Sequence, residues 1–190
     1  MSSGRFAVCM KATEMFARSP LVYEGRLRVY YGQAYVLSPD CGDVLPDDAY
    51  VGQRNGLCGA GVKGALFLTT GLHTGYVQLT VTVHDTLPPV QEDWDEIVEA
   101  SCTFASVPVV LQNWDGEVVC ELPLAEGTYR VRYSAKGFGE APESGGEIDE
   151  EPVERYALAF WPATAESDKV IKQTSVKAAY WNNGGWGVGM

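Results

Sequence analysis

Few side chains in this sequence have the type and spacing that chemistry requires. Gly59-Ala60-Gly61-Val62-Lys63-Gly64 has the G-x-G-x-x-G spacing of a phosphate-cradling turn. That turn works only with a buried strand before it and a helix after it, so that the helix N-terminus meets a pyrophosphate. Here residues 47–57 read as loop, and Gly71 and Gly75 break up the downstream segment, so the stretch reads as a loop entering a strand. His73 and His84 are the only histidines, placed in a turn and on a solvated strand face. Zinc needs His and Cys at short spacing, whereas Cys41 and Cys58 have sixteen residues between them and no local partner. No G-x-S-x-G elbow is present. The expectation is a protein that is not an enzyme, with no catalytic residue, no metal and no cofactor.

What the chain does hold is carboxylate. Between Gly64 and Tyr129 there is no Lys or Arg, and that span carries Asp85, Glu92, Asp93, Asp95, Glu96, Glu99, Asp115, Glu117, Glu121 and Glu126. A second run, 140–154, has seven acids and no base. The net charge of −11 divides as +3 over residues 1–36, −15 over 37–155 and +1 over 156–190. A concentrated negative field repels nucleic acid and favours basic partners. Trp94 and Trp114 each sit beside an aspartate, and tryptophan is over-represented among binding hot spots. Asp93, Trp94, Asp95, Glu96, Glu99, Trp114 and Asp115 are therefore the candidate partner-binding residues, with the acidic run 140–154 as an outer electrostatic lure. Arg26, Arg28, Arg130 and Arg132 alternate on two strands and read as cross-strand partners of acids.

Two other uses of these residues stay open. Asp40, Asp43, Asp47 and Asp48 in one loop, with Asp93 and Asp95 in another, are hard oxygen ligands of the kind calcium takes. Trp94 between two aspartates could also form a sugar-binding corner.

The elements that must position these groups are short strands. Tyr76–His84 alternates most cleanly, with Val77, Leu79, Val81 and Val83 on one face. Arg26–Tyr30 and Ala34–Leu37 flank a bend at Gly32. Ala65–Thr70, Val107–Leu111, Glu117–Leu122, Thr128–Tyr133 and Arg155–Pro162 also read as strands, with Trp114-Asp115-Gly116 as a hairpin turn. Asp93–Glu96 could open a helix, but the β elements around 95–104 favour a strand from Glu96 onward. In Thr128–Tyr133, Tyr129, Val131 and Tyr133 face inward, and Arg130 and Arg132 outward. Val170–Trp181 reads as another strand or edge segment. The pattern predicts an all-β fold, an antiparallel β-sandwich of about eight or nine strands with long acidic loops. The expected organisation is a loose segment at 1–20, one domain at 21–181 with an acidic loop at 137–154, and a Gly-rich tail at 182–190. Five cysteines without a C-x-x-C pair and no apolar run of membrane-spanning length point to a reduced, cytoplasmic protein with no membrane partner.

Tyr30-Tyr31-Gly32-Gln33-Ala34-Tyr35-Val36 resembles the aromatic-Gln-aromatic strand of the ComJ-like nuclease inhibitors of bacterial competence systems. Gly61-Val62-Lys63-Gly64, the strand Val77–Val83, Leu122-Pro123-Leu124 and Gly127-Thr128-Tyr129 are similar and come in the same order. The resemblance covers roughly residues 26–135, and uncharacterised actinobacterial proteins are similar as well. It implies a small β-sandwich that binds and inhibits a partner nuclease, and it transfers no contact residues. Charge and resemblance together predict a non-enzymatic binding protein, an inhibitor or immunity factor, whose partner is a basic protein such as a nuclease or toxin. The alternative is a calcium- or carbohydrate-binding module that uses its end loops.

Overall fold

A computed structural model describes residues 20–142 and 151–186. The expected loose segment at 1–20 lies outside these except for Pro20. Residues 143–150 of the acidic run and 187–190 of the Gly-rich tail also lie outside.

Two sheets face one apolar core. The larger has the order β1 (Leu21–Val29), β5 (Gly75–Val83), β10 (Arg155–Pro162), β9 (Gly127–Lys136), β6 (Glu96–Phe104), β11 (Lys169–Lys172). The smaller has the order β3 (Cys58–Gly59), β4 (Ala65–Thr69), β2 (Gln33–Leu37), β7 (Val109–Asn113), β8 (Val118–Leu122). The alternation read in β5 holds: Val77, Leu79 and Val81 are buried, with Gln78, Thr80 and Thr82 on the other face. From the second sheet Val36, Leu66, Leu68 and Leu111 reach the same core. Tyr133 donates its hydroxyl to Thr69 O at 3.2 Å and Cys102 its thiol to Ala65 O at 3.5 Å, so hydrogen bonds cross between the layers.

Three expectations need correction. The larger sheet is mixed, because β10 lies parallel to β5 while it is antiparallel to β9. There are eleven strands among the described residues, the short β3 being unexpected and β11 falling at the start of the Val170–Trp181 segment. And Val170–Trp181 is not one extended segment: β11 ends at Lys172 and helix α2 (Val176–Asn182) comes after it. Ser175 explains the switch, since its side chain accepts from Ala178 N and so satisfies a helix-start donor. A four-residue helix, α1 (Pro46–Ala49), lies in the long loop before β3.

Arg130 and Arg132 do point away from the core, yet both are buried. Two segments cross the outer face of the larger sheet and cover them. Residues 84–95 carry the chain from the end of β5 back to the start of β6, and residues 163–168 lead from β10 to β11. Arg132 Nη1 donates to Pro88 O and Pro89 O, both at 3.0 Å. Arg130 Nη1 donates to Glu166 O and Ser167 O, both at 3.1 Å. Each guanidinium thus pins one crossing segment to the sheet. Among the described residues no helix is long and apolar enough to cross a membrane.

Candidate partner-binding site

The expected carboxylates do not all reach solvent. Glu99 is 6% exposed, and it lies opposite Arg132 in the β6–β9 pairing. Its Oε2 is 3.1 Å from Arg130 Nη2, and its Oε1 is 2.8 Å from Arg132 Nη2. Glu96 is 1% exposed. Its carboxylate accepts from Thr174 N, Thr174 Oγ1 and, at 2.7 Å, Ser175 N, just ahead of α2. A negative charge there also suits the helix dipole. Both glutamates are structural groups, consumed by internal donors, and neither is presented to a partner. A single acidic face is also ruled out, because Asp85 follows the far end of β5 and Glu126 precedes β9 at that same far end.

The remaining candidates form two places at the opposite end. Asp93, Trp94 and Asp95 finish the 84–95 crossing and enter β6. Lys136 Nζ donates to Asp93 O at 3.0 Å, and Asp95 accepts from Gly137 N at 3.0 Å, which fixes this corner to the end of β9. The corner borders a groove of about 830 Å³. Glu24, Asp93, Asp95, Glu140 and Glu151 contribute carboxylates to it, against the bases Lys136 and Arg155. Glu24, Asp93, Glu140 and Glu151 are exposed and Asp95 half-buried. Carboxylates outnumber bases here, so the groove attracts cations.

Trp114 and Asp115 lie on the β7–β8 hairpin instead. Asn113 makes that turn: its Oδ1 accepts from Glu117 N at 2.8 Å, and Gly116 takes φ +90. Trp114 packs against Tyr31 and Tyr30, with ring centroids 5.0 and 5.9 Å apart. His73 meets Tyr31 edge-on at 5.2 Å. Charge and motif spacing do not single out Tyr30, Tyr31 and His73 as contacts. The one signal in the sequence is Tyr31-Gly32, a turn between two strands that places an aromatic at its tip.

Glu154, the last acid of the 140–154 run expected as an outer lure, instead turns inward to internal donors and connects these surroundings. It is buried, and it accepts from Leu72 N and Gly139 N, both at 2.9 Å, and from the Tyr156 hydroxyl. The β4–β5 turn and the loop after β9 are thereby held to one carboxylate.

The other constellations have structural uses. A Cβ on Gly61 would come within 2.4 Å of Asp48 O, and one on Gly59 within 2.8 Å of Ala49 O. The G-x-G-x-x-G glycines let the chain pass closely over α1 and run into β4. Asp40 accepts from Ser38 at 2.9 Å and from Ser106, which holds its carboxyl below the ordinary range. Among the described residues no three His, Cys, Asp or Glu side chains gather as metal ligands. Cys102 is buried and pushed up to about 12 by burial, which suits a thiol acting as a small hydrophobe.

No family model and no curated protein sequence matches the chain. Two solved structures are similar to it. One is described as the product of crocagin biosynthetic gene J: 14% identity, 74% of this chain and 96% of that one, TM-score 0.47. The other is ComJ from Bacillus subtilis, an inhibitor of the DNA degrading activity of NucA: 12% identity, 77% of this chain and all of that one, TM-score 0.52. At this identity the likeness is one of architecture, and this chain shares the fold of ComJ.

Proposed function

We propose that the protein is a non-enzymatic binding protein that neutralises a basic partner, a DNA-degrading nuclease being the favoured class. The observation that carries this reading is the groove beside Asp93, Trp94 and Asp95, where five carboxylates face two bases at one end of the fold. A net charge of −11 adds a long-range field that speeds encounter with a positively charged protein. The fold of ComJ, an inhibitor of the NucA nuclease, supports the same class of partner. The proposed contact residues are Asp93, Trp94, Asp95, Trp114 and Asp115, joined by Glu24, Glu140 and Glu151.

The test is a DNA degradation assay with NucA and with a series of basic DNA-degrading enzymes. Adding purified protein in stoichiometric amounts should slow degradation, and raised salt should weaken that effect. Undiminished degradation throughout the series overturns the proposal, and inhibition that ignores salt overturns the acidic groove as its basis.

A further inference from the structure

We propose that the exposed aromatic cluster of Tyr31, Trp114 and His73 is the anchor that holds the bound partner, whereas the acidic groove sets how fast that partner arrives. This inference rests on the binding role proposed above. Three separate turns bring the rings together: the β1–β2 turn, the β4–β5 turn and the β7–β8 hairpin. Tyr31 is 54% exposed and Trp114 43% exposed, large values for rings that touch each other.

The cluster is rigid by construction. Gly32 N donates to His73 O at 2.8 Å and Thr70 N donates to Gly32 O at 2.9 Å, so the first two turns are bonded to each other. Tyr31 takes φ +55, a left-handed conformation that a bulky residue adopts only when its surroundings impose it. Aromatics already ordered before binding lose little freedom on contact, which is the character of a hot spot.

Charge and continuity identify the occupant. Asp115 and Glu117 stand exposed on the same hairpin as Trp114, and that hairpin contains no Lys or Arg. An arginine-bearing surface suits both features, since a guanidinium stacks on indole and phenol rings and pairs with carboxylates. Glu154 supplies the continuity. Its two backbone partners, Leu72 and Gly139, immediately precede His73 of the cluster and Glu140 of the groove. The two places are thereby adjacent, with Lys177, whose Nζ donates to Gly71 O at 2.7 Å, as the base beside both loops, and one partner face can span them.

Surface plasmon resonance with immobilised NucA as the probe separates the two roles. Trp114→Ala and Tyr31→Asn should raise koff by roughly tenfold or more, with kon and its salt dependence near wild type. Asparagine tolerates the left-handed backbone, so Tyr31→Asn removes the ring and leaves the turn intact. The pair Asp93→Lys and Asp95→Lys should lower kon instead. Melting curves matching wild type establish that each variant is folded. If wild type binds and both aromatic variants dissociate at its rate, the anchor is refuted and the proposed function stands. If wild type neither binds nor slows NucA or any other nuclease of the series, the proposed function falls and the anchor with it.

Discussion

Arg132 closes on Glu99 with two donors inside the protein, Nε at 2.9 Å and Nη2 at 2.8 Å from the same carboxylate oxygen. Arg130 takes the other oxygen, and each arginine also donates to the carbonyls of a crossing segment, Arg130 to the Ser101 hydroxyl as well. The two buried guanidiniums outnumber the one carboxylate between them. Removing that carboxylate leaves both uncompensated in a dry setting. Glu99→Gln should lower stability to urea by about 3–5 kcal/mol. A loss under about 1 kcal/mol would show that the crossing segments hold without it.

Glu96 plays the corresponding part for the C-terminal helix. Its carboxylate gathers Thr174 and Ser175 donors, and a carboxamide keeps only one acceptor oxygen. Glu96→Gln should destabilise the α2 region by about 1–3 kcal/mol. Amide exchange over Val176–Asn182 should accelerate more than exchange in β5, and Trp181 fluorescence should change. Uniform exchange across the protein would contradict a local role.

Position, and not merely total charge, should govern association. Lysine replacing Asp93 and Asp95 changes the net charge by as much as lysine replacing Asp85 and Glu126 at the far end. Only the first pair should slow association with a basic nuclease by about tenfold, and the second should stay within about twofold. Equal slowing by both pairs would mean that the field is unfocused and the groove plays no special part.

The buried thiols and phenols predict an alkaline limit. Burial holds Cys58 and Cys102 protonated well above their ordinary value of 9.0, and raises Tyr50, Tyr133 and Tyr156 well above 10.0. A group whose folded pKa is raised contributes its stability below the unfolded pKa and loses it as pH rises toward the folded one. Stability under reducing conditions should therefore be flat up to about pH 9. Above it, each thiol should remove about 1.4 kcal/mol per pH unit, with the phenols adding from about pH 10. A melting temperature unchanged between about pH 8 and 11 would sink this account.

Strand positions are legible wherever side chains alternate. β5 and β10 stand out because one face is aliphatic or aromatic and the other small or polar, and both begin and end within a residue of where that pattern does. Asp115-Gly116 between apolar runs marks the β7–β8 hairpin. What alternation cannot reveal is a cover on the second face. Arg130 and Arg132 carry the signature of a solvated face, yet the 84–95 and 163–168 crossings enclose them, and these crossings have no periodicity of their own. The same gap misplaces Glu96 and Glu99: a glutamate beside Asp93 and Asp95 in sequence is on the opposite side of the burial boundary once β6 begins. Helix α2 is hidden by its length, for Ser175 and the Ala178-Ala179 pair fill too short a window to outweigh the β residues around them.

The parallel pairing of β10 with β5 also orders events in time. β10 lies between β5 and β9, so the larger sheet stays split down its middle until residues 155–162 have left the ribosome. Until then β5 presents a bare backbone edge of Val77, Leu79 and Val81 to its surroundings, and that exposed ladder is a standing invitation to intermolecular pairing. Slow synthesis or truncation before β10 should therefore yield aggregates, and a chaperone-dependent nascent chain, well before it yields a partly folded protein.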